Sequence, residues 1–174
     1  MIKTINTKQI LKEVNGTITE LIELLSSFDQ EQINIIPFEG SWTAGQLAKH
    51  MIMSNSGFAE ILYGPVKETE REPDEMIEKI KADFLNFNIK MKSPDFVVPP
   101  MGIYKKEELL SSLENIKEKI NQAIETLDLT KTCLAFELPV YGFLTRLEAI
   151  HFVLYHTQRH IHQLKNILKK VMDK

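Results

Sequence analysis

Apolar residues recur at three- and four-residue steps in four long stretches of this chain, the spacing that gathers them on one side of an α-helix. The first stretch carries Ile10, Val14, Ile18, Leu21, Ile22, Leu24, Leu25 and Phe28 and predicts an amphipathic helix over residues 8–30. After a turn-rich segment, Ile36-Pro37-Phe38-Glu39-Gly40-Ser41-Trp42, the run Thr43-Ala44-Gly45-Gln46 has the form of a capping box. There the Thr43 side chain takes the amide three residues on, and Gln46 returns to the Thr43 amide. A second helix is therefore expected to start at Thr43, to carry Leu47, His50, Met51, Ser54, Phe58 and Ile61, and to stop at Gly64-Pro65.

Pro73 suits the first position of a shorter helix whose stripe is Met76, Ile77, Ile80, Phe84 and Phe87. Residues 89–104 then contain Pro94, Pro99, Pro100 and Gly102, which forbid a continuous helix and predict a long crossover. Phe96, Val97 and Val98 within it predict that the segment packs down over an opening between helices. The third long helix is expected over residues 105–127, with Leu109, Leu113, Ile116, Ile120 and Ile124 on one side. The fourth is expected to begin at Gly142 or Phe143 and run to Met172. Strand-type alternation and internal repeats are absent, so the expectation is an all-α, single-domain chain (residues 1–174) in which four amphipathic helices bury their stripes against one another.

Composition narrows the function classes. The 174 residues are 43% hydrophobic and 26% charged, without an apolar run near the roughly 20 residues that span a bilayer. The N-terminus lacks the pattern of a secretory signal, so a soluble, cytoplasmic protein without a membrane role is expected. The net charge of −3 offers no general attraction to phosphate backbones, and the lysines near the C-terminus read as a helix-end cap, so no nucleic-acid role is expected. Cys133 stands alone among uncharged neighbours and is expected to be neither disulfide-bonded nor a nucleophile.

Histidine is the residue type that changes the picture. At about 100° per residue, His156 and His160 lie roughly 40° apart and one turn from each other, so both can reach one ion. They share a face with Ala149, Phe152, Val153, Gln163 and Ile167, the stripe expected to point inward. His162 lies about 120° from His156 and His151 roughly 140°, which directs both away from that face. His50 sits on the inward face of the second helix with Leu47, Ser54, Gly57 and Ile61. Three neutral imidazoles and one open position form a ligand set for a catalytic divalent metal, with zinc or nickel first and cobalt or iron also compatible. The spacing is equally compatible with buried histidines satisfied by carbonyls or carboxylates.

The run Ser41-Trp42-Thr43-Ala44-Gly45-Gln46-Leu47-Ala48-Lys49-His50, the proline-rich crossover and His156-Thr157-Gln158-Arg159-His160-Ile161-His162-Gln163 together resemble the DinB-like (DinB/YfiT-like) superfamily of metal-dependent enzymes. The resemblance implies an up-down-down-up four-helix bundle with a long crossover between helices two and three. It implies metal ligation by His50, His156 and His160, and a supporting role for Gln163 behind a ligand or a bound water. It also implies a homodimer and, as in related proteins, use of a low-molecular-weight thiol such as bacillithiol.

Other side chains add little at this level. Glu148 is expected to be solvated near a helix start, and Arg146 and Arg159 to be surface arginines able to reach a carboxylate from the rim. Tyr141 and Tyr155 can donate hydrogen bonds. No acid or base beside the ligands fixes a reaction. The expectation is a metal-dependent enzyme activating water or a thiol, a hydrolase or thiol S-transferase, with a non-catalytic metal-binding dimeric bundle as the alternative.

Overall fold

The computed structural model describes residues 5–173. Helix α1 (Thr7–Ser26) starts under Asn6, whose side chain accepts from the Gln9 amide. It ends short of residue 30 because the Asp29 carboxylate takes the amides of Glu31 and Gln32 (2.9 and 2.8 Å), and short polar side chains of this kind compete with the helical ladder. Helix α2 (Ala44–Tyr63) begins under the expected capping box, with Thr43 and Gln46 each serving the other's backbone amide. Gly45 lies where the crossover closes on this helix, since a β-carbon there would sit 3.0 Å from Cβ of Tyr104 and 3.1 Å from the Ile33 carbonyl oxygen. Thr43→Ala should destabilise the protein by about 1 kcal/mol, read as a lowered denaturation midpoint; an unchanged midpoint would remove the cap from the account of this helix start.

Helix α3 (Ile77–Phe84) starts later than Pro73. The Pro73 carbonyl is taken by the Thr145 hydroxyl (2.7 Å) and the Met76 amide by the Glu148 carboxylate (2.9 Å), so contacts to a distant helix displace the first turn. Phe87, assigned to the same stripe, falls beyond the helix end and is exposed. Two-residue strands β1 (Val66–Lys67) and β2 (Thr132–Cys133) pair antiparallel, too short to leave an alternation in the sequence. Helix α4 (Lys106–Thr126) follows the crossover, and the Lys106 ammonium donates to the carbonyls of Ser26 and Phe28 at the end of α1.

Helix α5 (Arg146–Met172) begins under a second capping box, Thr145 with Glu148, and not at Gly142 or Phe143. Residues 138–142 instead close a tight turn in which Leu138 and Gly142 exchange backbone hydrogen bonds (3.0 and 2.8 Å), with Gly142 at φ 73°. Left-handed backbone of that kind suits glycine and does not continue into a helix.

The polar contacts between helices mark their directions. Asn121 donates to Asn15 and Lys106 reaches Ser26, so α1 and α4 run antiparallel. The Lys165–Glu20 ion pair, with Gln32 near Met172, shows that α1 and α5 are parallel. Arg146 donates to the Leu62 carbonyl while His50 meets His156, so α2 and α5 are antiparallel. The result is up-down-down-up, with α1 and α2 each packed between α4 and α5, and α3 laid against α5. Val14, Leu21, Leu25, Phe28, Leu47, Met51, Leu113, Ile120, Val153 and Leu164 are fully buried between them, each contributing about 1.5–3 kcal/mol of transfer free energy. Among the described residues no helix is long and apolar enough to cross a membrane.

Candidate metal centre

Because α2 and α5 run antiparallel in contact, the second turn of α2 lies beside the middle of α5. His50, His156 and His160 therefore meet, all three buried, with one nitrogen from each lying within 4.8 Å of the others. Nε2 of His156 is 3.3 Å from Nε2 of His50 and 3.0 Å from Nε2 of His160. Ligand nitrogens on a tetrahedral zinc-type ion stand about 3.3 Å apart for bonds of about 2.05 Å, so the spacing suits one shared ion.

The other ring nitrogens decide which lone pairs are free. Nδ1 of His50 is 2.7 Å from the Val97 carbonyl oxygen, which only accepts, so the proton sits on Nδ1 and the Nε2 lone pair points inward. Nδ1 of His160 donates in the same way to Oε1 of Gln163 at 2.9 Å. Nδ1 of His156 lies 3.5 Å from the Ser54 hydroxyl, which can donate or accept. Without a cation, His156 can keep its proton on Nε2 and share it with His160; with one, the proton moves to Nδ1 and Ser54 becomes the acceptor.

Burial holds all three imidazoles in the neutral form that ligates. It lowers the pKa of His50, pushes His156 well below the ordinary histidine range with help from the neighbouring His160, and takes His160 down to about 3. Apolar rings close the surroundings: Trp42 lies 5.1 Å from the His50 ring centre, and Phe84 and Phe152 lie 5.7 and 5.4 Å from that of His156. Residues 95–97 form a 3-10 turn that delivers the Val97 carbonyl to His50, so the crossover meets α2 through its backbone, whereas the side chains of Phe96 and Val98, expected to pack down, are exposed and that of Val97 is half-buried. Phe96 also meets Phe136, 5.9 Å between ring centres, joining the crossover to the loop after α4.

His162 is exposed and stacks flat on Phe87, 4.2 Å between centroids, away from the other imidazoles as the helical angle required. His151 stays off the centre and donates to its own helix at the Leu147 carbonyl (2.8 Å). Glu148 is a correction: it is fully buried, not solvated, and receives Arg71 at 2.6 and 2.7 Å together with the amides of Met76 and Thr145. Arg146 is a second correction, buried against the Leu62 and Asp128 carbonyls. Arg159 is half-buried at the end of α3. Tyr141 donates to Asp83 (2.6 Å), and burial raises its pKa as it raises that of half-buried Tyr155. The Cys133 thiol is buried and pushed up to about 11, which leaves it un-ionised at neutral pH.

Sequence reasoning did not assign Val97, Ser54 or Trp42 to this centre. The Val97 contribution is a backbone carbonyl and has no residue-type signal. Ser54 lay on the same helical face as His50, a signal that was present without a partner to interpret it.

Comparison with known proteins places the fold and the family. The chain is 24% identical over 152 residues to the uncharacterized protein YuaE of Bacillus subtilis (strain 168), covering 84% of this chain and 90% of that one. Its fold matches the crystal structure of TT2238, a four-helix bundle protein, with a TM-score of 0.59 at 18% identity, over 92% of this chain and 99% of the other. It also matches YfiT from Bacillus subtilis, described as a probable metal-dependent hydrolase with an unusual four-helix bundle topology, with a TM-score of 0.59 at 12% identity, over 97% and 89% of the two chains. At these identities the structures speak for the fold alone. The family description that matches, over residues 14–164, is that of the DinB superfamily, and the chain belongs to it.

Proposed function

We propose that His50, His156 and His160 hold one divalent metal ion, zinc or nickel, and that the protein is a metal-dependent enzyme of the hydrolase or thiol-transfer type. The observation that carries this reading is the convergence of three buried Nε2 atoms while Nδ1 of His50 and of His160 is tied to an acceptor. Among the described residues no Cys, Asp or Glu joins the group to close it. A divalent ion held by three neutral imidazoles supplies Lewis acidity at its remaining position, enough to bring a water or thiol into its ionised range near neutral pH.

The chain's own residues perform the rest. Val97 and Gln163 fix the proton of His50 and His160 on Nδ1, and Ser54 offers His156 a partner in either tautomer. Trp42, Phe84 and Phe152 keep the immediate surroundings apolar, which strengthens every charge interaction inside them. Gln163→Leu removes the acceptor behind His160 and should weaken metal binding by about 10–100-fold, measured by competition with a chromophoric chelator; unchanged affinity would detach Gln163 from the centre.

For the activity itself, metal-loaded protein should turn over activated esters, or an electrophile with a small thiol such as bacillithiol, and lose that turnover with chelator. A broad panel without metal-dependent turnover would reject the enzymatic reading. One observation favours the alternative of a metal-stabilised, non-catalytic bundle, as a homodimer: the hydrogen-bond partners of the imidazoles, Val97, Ser54 and Gln163, include no acid or base. In that case metal raises the unfolding temperature while added ligands leave its spectrum unchanged.

A further inference from the structure

Charge, more than shape, restricts what this centre can take. The three imidazoles are neutral, and so are Val97, Ser54 and Gln163 behind them. A divalent ion bound there keeps both of its charges in apolar surroundings, where an uncompensated charge is costly and an anionic ligand relieves the cost.

A further cation lies alongside. Arg159 precedes His160 in α5, and its Nη1 donates to the carbonyls of Phe84 (3.3 Å) and Asn86 (3.0 Å) while Nη2 donates to that of Ile89. The ring of the same Phe84 stands edge-on to His156. The guanidinium is thus fixed at the end of α3 that walls the centre.

Carbonyls orient Arg159 without neutralising it. Among the described residues it forms no ion pair, and its Nε–H and one Nη2–H have no partner. The other two arginines differ, since Arg71 is paired with Glu148 and Arg146 is buried between helix and loop carbonyls. Residues 89–97 run from the carbonyl held by Arg159 to the one held by His50, and bring exposed Lys90 and Lys92 against a single Asp95.

We infer that Arg159 is a specificity-determining residue, and that the substrate of this centre is a small anion with two functions: one donor atom for the metal and, a few bonds away, a carboxylate for the unpaired N–H groups of Arg159. Arginine suits this task because its planar fork stays charged and pairs with carboxylates at short range. The inference rests on the metal-centre reading, and the experiment separates the two.

Cobalt-loaded protein is titrated with mercaptoacetate, 3-mercaptopropionate and 4-mercaptobutyrate, each beside its methyl ester, and binding is read from the visible cobalt bands. The thiol supplies the metal donor in every case, and only the acids carry the second charge. The best-fitting acid should bind at least about tenfold more tightly than its ester. Arg159→Gln, which keeps a polar N–H donor but not the charge, should bring that ratio close to one, and Arg159→Lys should retain part of it. Equal affinity of acids and esters in the native protein overturns the inference without any variant, as does a preference that survives Arg159→Gln. Cobalt bands that no thiol moves reject the open metal position itself, and the inference with it.

Discussion

Replacing His156 or His160 by alanine should weaken divalent-metal binding by more than about a hundredfold, because removing only a partner behind a ligand already costs 10–100-fold. His50→Ala should do the same from the other helix, although it lies 106 residues away from His156 in the chain. His162→Ala should leave metal content unchanged, since that ring is exposed and stacked on Phe87. Elemental analysis after dialysis reads all four variants. Equal losses across them, His162 included, would mean that the metal is held nonspecifically at the surface. The same series has a thermodynamic arm. A ligand that binds only the folded state at 100 times its dissociation constant stabilises by about 2.7 kcal/mol, so excess metal should raise the unfolding midpoint of the native protein and of His162→Ala. It should do so far less for the ligand variants.

Glu148→Ala should be the most destabilising change outside the metal centre, by about 3–5 kcal/mol. The carboxylate is fully buried and takes four donors: two from Arg71 and the amides of Met76 and Thr145. Removing it leaves those donors without an acceptor and unpins α3 from the start of α5. Arg71→Met should cost a similar amount by leaving the carboxylate buried without its cation. The double variant should fall well short of the sum, because each single change also exposes the penalty of the partner left behind. Denaturant unfolding of the three proteins tests this, and strict additivity would show that Arg71 and Glu148 do not act as a pair. A loosened α3 should also reduce metal retention, since Phe84 at its far end stands against His156.

Much of the architecture was legible along the chain. Helices α1, α2, α4 and α5 lie where the apolar period placed them, and the Thr43–Gln46 capping box starts α2 as expected. Some misses sit where a distant group overrides a local preference, and others where a local signal decides the boundary. Pro73 offers a good helix start, yet Thr145 and Glu148 hold residues 73–76 in a turn. A glutamate three residues after Thr145 is the same capping-box signature that marked α2, and reading it would have moved the start of α5 to the right place. Burial of Glu148 was not legible, because its cation comes from Arg71, 77 residues away.

The amino-acid sequence by itself determined which side of each helix is apolar, and so which histidines face inward: His50, His156 and His160 are buried and His162 is not. That follows from the helical repeat, a local property of the backbone. Only the tertiary structure decided that α2 lies antiparallel beside α5, that the crossover brings the Val97 carbonyl to His50, and that Arg159 remains without an ion-pair partner among the described residues beside the centre. Those outcomes depend on how stripes from separate helices interlock, and a period read along one helix carries no information about its neighbour.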